Sequence, residues 1–183
     1  MRPRQTRPFA WPRRWLVTDE RMGSGLWSAL AHLPRGAGVV FRHHMLPART
    51  RERLGRAVAR LCRRRGLCLA VSRDVALARR LGEALVHNPA APHGLMPHSR
   101  PVHDEREAEL ARLEGATFVF ISPMFSTASH PDAVPLSLER AAGLIRKSGR
   151  PGIALGGMDE VRFARIRSQG FAGYAGIDCW IRI

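Results

Sequence analysis

Five histidines, His43, His44, His87, His98 and His130, stand near the ends of short apolar runs, where a side chain can meet a ligand rather than a core. A single imidazole with an unperturbed pKa of about 6.5 suits acid or base work near neutrality. Grouped neutral imidazoles can instead hold a metal, but no HxH or HExxH spacing supports that here. Two other segments favour an oxyanion. Ser122-Pro123-Met124-Phe125-Ser126-Thr127-Ala128-Ser129-His130-Pro131 follows an apolar run, and the hydroxyls of Thr127 and Ser129 can donate to phosphate without adding charge. Gly156-Gly157 follows Ile153-Ala154-Leu155 and precedes a helix start, so backbone N–H groups can approach phosphate oxygens without side-chain obstruction. Plain turns account for both segments as well.

The elements that must position these residues alternate in type. Strands are expected at 14–18, 38–42, 67–72, 84–87, 94–98, 117–122, 151–155 and 173–177, with helix-period stretches between several of them. Leu54, Ala57, Val58, Leu61 and Cys62 recur at helical spacing within 50–65, with the arginines on the opposite face. Asp104, Ser137 and Asp159 are placed to cap three further helices, and Gly115 and Gly170 to end two of them in a left-handed turn. Eight βα-type strands suffice for a closed parallel barrel, the (β/α)8 or TIM barrel of the α/β class; a flavodoxin-like open sheet is the competing arrangement. Only 88–93 separates the expected fourth and fifth strands, and 178–183 follows the eighth, so the outer helix ring should be incomplete. Closure would gather Asp19, Arg42, His43, His44, Ser72, Arg73, Asp74, His87, His98, Ser122, Thr127, Ser129, His130, Gly156, Gly157 and Asp178 around one mouth. Such polar clustering is harder to explain by packing than by ligand contact.

Composition narrows the class. A chain of 183 residues fits one domain, and no apolar run approaches the roughly 18 residues of a membrane helix. Three cysteines without metal spacing favour a reducing, cytoplasmic setting. The segment 1–13 is strongly basic and is read as a disordered or loosely docked arm, with the barrel from 14 to 183. A net charge of +15 invites a phosphate or polyanion partner, but the arginines are dispersed and lack aromatic interleaving, so nucleic acid is not expected.

The order of segments resembles the thiamine phosphate synthase and thiazole tautomerase (TenI-like) family of small (β/α)8 barrels. Trp15-Leu16-Val17-Thr18-Asp19 is similar to the family's first strand and Val39-Val40-Phe41-Arg42 to its second. Ser122 to His130 is similar to its hydroxyl-bearing loop, Ile153 to Met158 to its seventh strand with phosphate-binding glycines, and Gly170 to Ile177 to its eighth. The resemblance implies a transferase of thiamine biosynthesis that joins hydroxymethylpyrimidine diphosphate to thiazole phosphate, releasing pyrophosphate with magnesium. On that basis Arg42 clamps diphosphate, with His98 and His130 as further catalytic candidates, and Thr127, Ser129, Gly156, Gly157, Ser72 and His87 contact substrate or phosphate.

The chain also departs from the family pattern. Ser72-Arg73 replaces the Asn-Asp pair whose aspartate holds magnesium, leaving Asp74, one step on, as the candidate ligand for Mg2+. His44 and His130 stand where lysines are expected, Asp178 stands at an eighth-strand phosphate position, and Pro123 replaces the tautomerase histidine. The expectation is therefore a divergent synthase or a paralogue that binds a thiamine-related phosphate. An isomerase or hydrolase of another phosphorylated heterocycle, and a basic polyanion-binding protein, are the alternatives.

Overall fold

The structure is a computed structural model and describes residues 10–126 and 133–181. Eight strands form one closed, wholly parallel barrel: β1 (Arg14–Val17), β2 (Gly38–Phe41), β3 (Cys68–Ser72), β4 (Leu85–His87), β5 (His98–Val102), β6 (Phe118–Ile121), β7 (Gly152–Leu155) and β8 (Phe171–Gly176). Closure is made by β1 against β8, with Arg14 opposite Tyr174. Among the described residues six helices lie outside: α1 (Gly25–His32), α2 (Ala48–Arg65), α3 (Val75–Leu81), α4 (Glu105–Leu113), α5 (Leu138–Ser148) and α6 (Glu160–Ile166). No helix joins β4 to β5, and β8 leads into a 3-10 turn, Asp178–Trp180.

Strand residues alternate between two cores, as the pleat requires. Trp15, Val17, Val40, Ala70, Leu85, Phe118, Phe120 and Ile153 fill the barrel interior, where the Trp15 ring lies 5.3 Å from Phe118 and 5.7 Å from Phe120. Their neighbours, among them Leu16, Val39, Phe41, Leu69, Val71 and Ile121, face outward and pack beneath the helices. Trp180 donates its indole N–H to the Trp15 carbonyl at 3.0 Å and stacks on Tyr174, so the turn after β8 packs back on β1 and β8 beside α6. At the opposite end Trp11 lies against Phe118, and the Arg13 carbonyl accepts from the Tyr174 amide. Residues 1–9 of the expected arm lie outside the described residues.

The caps form as the sequence suggests. Asp104, Ser137 and Asp159 accept from the amides of Glu107, Arg140 and Arg162 at 2.8, 3.2 and 2.7 Å. Gly115 and Gly170 take φ of 71° and 94°. Three expectations are corrected. The fifth strand is His98–Val102, not 94–98: Leu95 is fully exposed, and the ladder begins only where the Pro97 carbonyl accepts from Val86. Helices α1 and α3 occupy stretches for which no helix is expected. One arginine of α2, Arg51, faces inward and is 7% exposed.

Candidate functional site

The C-terminal ends of the strands open into a cavity of about 350 Å3. Its floor is apolar, made by Val17, Val40, Phe120 and Leu155, and its polar wall is Arg42, His44, Ser72, Arg73, His87 and Asn88. The wall comes from the ends of three consecutive strands, β2, β3 and β4. At each of those ends a non-glycine residue adopts left-handed backbone: His43 at φ 45°, Arg73 at φ 68° and Asn88 at φ 49°. Such a conformation costs an L-residue on the order of 1 kcal/mol and persists where its surroundings hold it. The His43 ring stacks on Phe41, with its Nδ1 3.0 Å from the Thr18 hydroxyl. The Arg73 amide donates to the His87 carbonyl at 2.8 Å, and the Arg73 carbonyl accepts from Ala90 at 3.1 Å. The Asn88 amide donates to the Ser99 carbonyl at 2.7 Å, and its side-chain oxygen accepts from the Arg100 guanidinium.

Arg51 ties β2 to β3 from the helix side. Its guanidinium donates to the carbonyls of Arg42 and Ser72, each at 2.9 Å, pairs with Asp74 at 3.1 Å, and lies 5.4 Å from the Phe41 ring centre. Both oxygens of Asp74 are thereby engaged, because the other caps α3 by accepting from the Leu77 amide at 2.8 Å.

The mouth is electropositive. Among the described residues that line the cavity there is no carboxylate, and there are two guanidinium groups. The nearest acidic partner of Arg42 is Asp19 at 3.9 Å, which also binds Arg21 at 2.9 Å. This field acts on the histidines. Burial first, then the charges of Arg51, Arg42 and Arg73, hold His44 below the ordinary imidazole range. His87 is depressed to about 3, by burial first and then by Arg42, Arg100 and His44. Both imidazoles are therefore neutral hydrogen-bonding groups at neutral pH. The His44 Nε2 lies 3.2 Å from the Ser72 hydroxyl, and the His87 Nδ1 lies 3.0 Å from that of Ser99.

Gly156 and Gly157 follow directly on the floor residue Leu155, at φ 96° and 60°. They pack against the loop after β6: the Met124 amide donates to the Leu155 carbonyl at 2.9 Å and the Phe125 amide to the Gly156 carbonyl at 3.0 Å. A Cβ on Gly157 would come within 2.7 Å of the Ser126 carbonyl oxygen. Arg162 fastens the pair, donating to the Gly157 carbonyl while its guanidinium lies over the Phe125 ring at 4.8 Å. Among the described residues, the amide N–H groups of Gly156 and Gly157 find no acceptor.

The structure thus brings together Arg42, Ser72 and His87 as cavity wall, with Gly156 and Gly157 beside the floor. Thr127, Ser129 and His130 lie outside the described residues. His98 is corrected in place: it starts β5, at the far end of the strand from the mouth, and its ring lies 4.2 Å from His93. Asp74 is a helix cap paired with Arg51 and does not line the cavity. Among the described residues no three His, Cys, Asp or Glu side chains gather as metal ligands. A magnesium ion needs carboxylate or similar oxygen ligands. The donors of this wall do not fit it. Asn88, Arg51 and Ser99 were not singled out by sequence. Asn88 carried a usable signal, since asparagine tolerates left-handed backbone directly after a strand. One arginine among many in a basic helix carried none.

Comparison with known proteins agrees with the barrel fold. A family model described as thiamine monophosphate synthase matches residues 99–179. A thiamine-phosphate synthase from Roseiflexus sp. is 32% identical over 91% of this chain and 77% of that protein. One from Listeria innocua is 27% identical over 91% of this chain and 81% of its own length. Among solved structures, a thiamine phosphate pyrophosphorylase from Pyrococcus furiosus superposes with a TM-score of 0.75 at 20% identity, covering 91% of this chain and 85% of that one.

Proposed function

Because the chain belongs to the thiamine-phosphate synthase family, we propose that its barrel mouth binds a hydroxymethylpyrimidine diphosphate and a thiazole phosphate and joins them into thiamine phosphate. The observation that carries this reading is the pairing of an apolar floor with a cationic wall in one cavity of about 350 Å3, whose floor residue Leu155 leads directly into the two-glycine turn Gly156-Gly157. Phe120, Val17 and Val40 offer a flat apolar surface to a heterocycle, while Arg42 offers a fork of donors to a diphosphate.

In the transfer the bond between the pyrimidine methylene and the diphosphate oxygen breaks, and the thiazole nitrogen forms the new carbon–nitrogen bond. Charge grows on the leaving diphosphate, so fixed cations at its oxygens lower the barrier. Arg42 is the residue assigned to that task, and the Gly156 and Gly157 amides are assigned to the thiazole phosphate. His87 and Ser72 orient the pyrimidine as neutral donors and acceptors. Thr127, Ser129 and His130 join this reading from the loop that follows Ser126. A cytoplasmic setting belongs to the same reading, supported by three free cysteines.

Incubating the purified protein with both precursors, in magnesium and separately in EDTA, tests it. Thiamine phosphate should form and Arg42→Ala should abolish it. Absence of product alongside micromolar binding of thiamine phosphate by calorimetry would replace the synthase with a binding paralogue.

A further inference from the structure

We propose that the mouth binds diphosphate without a bridging divalent cation, with the Arg73 side chain supplying positive charge beside Arg42. The inference rests on the phosphate reading above and specifies how that site meets its anion.

Three observations converge. The carboxylate nearest in sequence, Asp74, has one oxygen on the Leu77 amide and the other on Arg51. Releasing it to a metal would uncap α3 and leave a 7% exposed guanidinium without its ion partner. Among the described residues the wall carries guanidinium groups and no acid, an arrangement that repels a free dication and attracts a polyanion. Finally, Arg73 is held at φ 68° by two backbone hydrogen bonds, one through its amide and one through its carbonyl, while its side chain lines the cavity and has no partner among the described residues. A left-handed arginine at a cavity rim, held in its backbone and with no partner for its tip among the described residues, is placed for a ligand rather than for the fold. The charge that a bridging metal would bring is then already present in the side chains.

Calorimetric titration of inorganic pyrophosphate into the full chain, at fixed ionic strength, separates the outcomes. In EDTA pyrophosphate should bind with an affinity within about threefold of that in excess magnesium, because the guanidinium groups need no mediator. Arg73→Gly, which keeps the left-handed backbone, should weaken binding in EDTA by about tenfold or more, and Arg73→Lys should recover much of the loss. Binding that appears only with magnesium, or an unchanged affinity in Arg73→Gly, overturns the inference while leaving the phosphate reading in place. No binding in either medium rejects the phosphate reading and the inference with it. Should Arg73→Gly fail to fold in a thermal melt, the EDTA and magnesium titrations of the unaltered protein decide alone.

Discussion

The Nδ1 of His87, at the end of β4, lies 3.0 Å from the hydroxyl of Ser99 in β5, a residue with no exposed surface. Ser99 has no other side-chain partner among the described residues, and the arrangement that uses its hydroxyl proton has it donating to Nδ1, with the ring proton on Nε2. The expected state of His87 is then a neutral donor through Nε2 at the cavity wall. Ser99→Ala should abolish that preference: long-range proton–nitrogen NMR of His87 should change from one Nε2–H tautomer to a mixture, with a stability loss of about 1 kcal/mol. An unaltered tautomer in Ser99→Ala would refute the assignment.

Histidine burial also fixes the sign of a pH effect. His87 titrates at about 3 in the folded chain and near its ordinary value when unfolded. Its contribution is fully present above the unfolded pKa of about 6.5 and is lost as pH falls toward 3, because the unfolded chain takes up the proton first. His43, His44 and His98 are lowered too, by burial first, and act in the same sense. Unfolding free energy should therefore decline from pH 6.5 to 4.5, and His87→Gln should remove up to about 1.4 kcal/mol per pH unit of that slope. Denaturant unfolding across the window measures it.

Arg51 carries a structural prediction. It joins two strand-end carbonyls, an aspartate and an aromatic face within the core. Arg51→Met should lower stability by about 3 kcal/mol, since Asp74 and two carbonyls lose their donor. Pyrophosphate binding should weaken as well, because the β2 and β3 ends are no longer fastened together. Guanidinium unfolding and calorimetry on the same preparation report both.

The glycines separate strain from contact. Gly157→Ala meets both a left-handed φ of 60° and the Ser126 carbonyl at 2.7 Å, whereas Gly170→Ala meets a φ of 94° and open space. Both should lose about 1 kcal/mol to backbone strain. Only Gly157→Ala should also disturb the loop after β6 and lower affinity for thiamine phosphate, read by titration.

Much of the fold was legible because the residues that build it obey simple periods. Seven of the eight strands are apolar runs of the expected place, and Asp104, Ser137 and Asp159 act on the amides that their spacing indicates. The fifth strand was not legible, since His98-Ser99-Arg100-Pro101-Val102 is polar where parallel strands are ordinarily apolar. Its polarity reflects its position: Ser99 faces His87, and Arg100 braces Asn88. At the mouth, Arg42, Ser72 and His87 could be found as polar strand ends. The left-handed turns at His43 and Arg73 could not, because nothing but tertiary hydrogen bonds and stacking selects that conformation for a histidine or an arginine. The engagement of Asp74 by Arg51 was equally hidden, arising from a helix that reads as uniformly basic on its outer face.

The mouth is the place where phosphate is expected to bind. A crystal structure of the full chain with thiamine phosphate tests this most directly. The phosphoryl oxygens should lie within hydrogen-bonding distance of the Gly156 and Gly157 amides, with the rings over Phe120 and beside His87. Phosphate found instead at the opposite end of the barrel, in the opening between Trp11, Gly36 and Cys68, would contradict it.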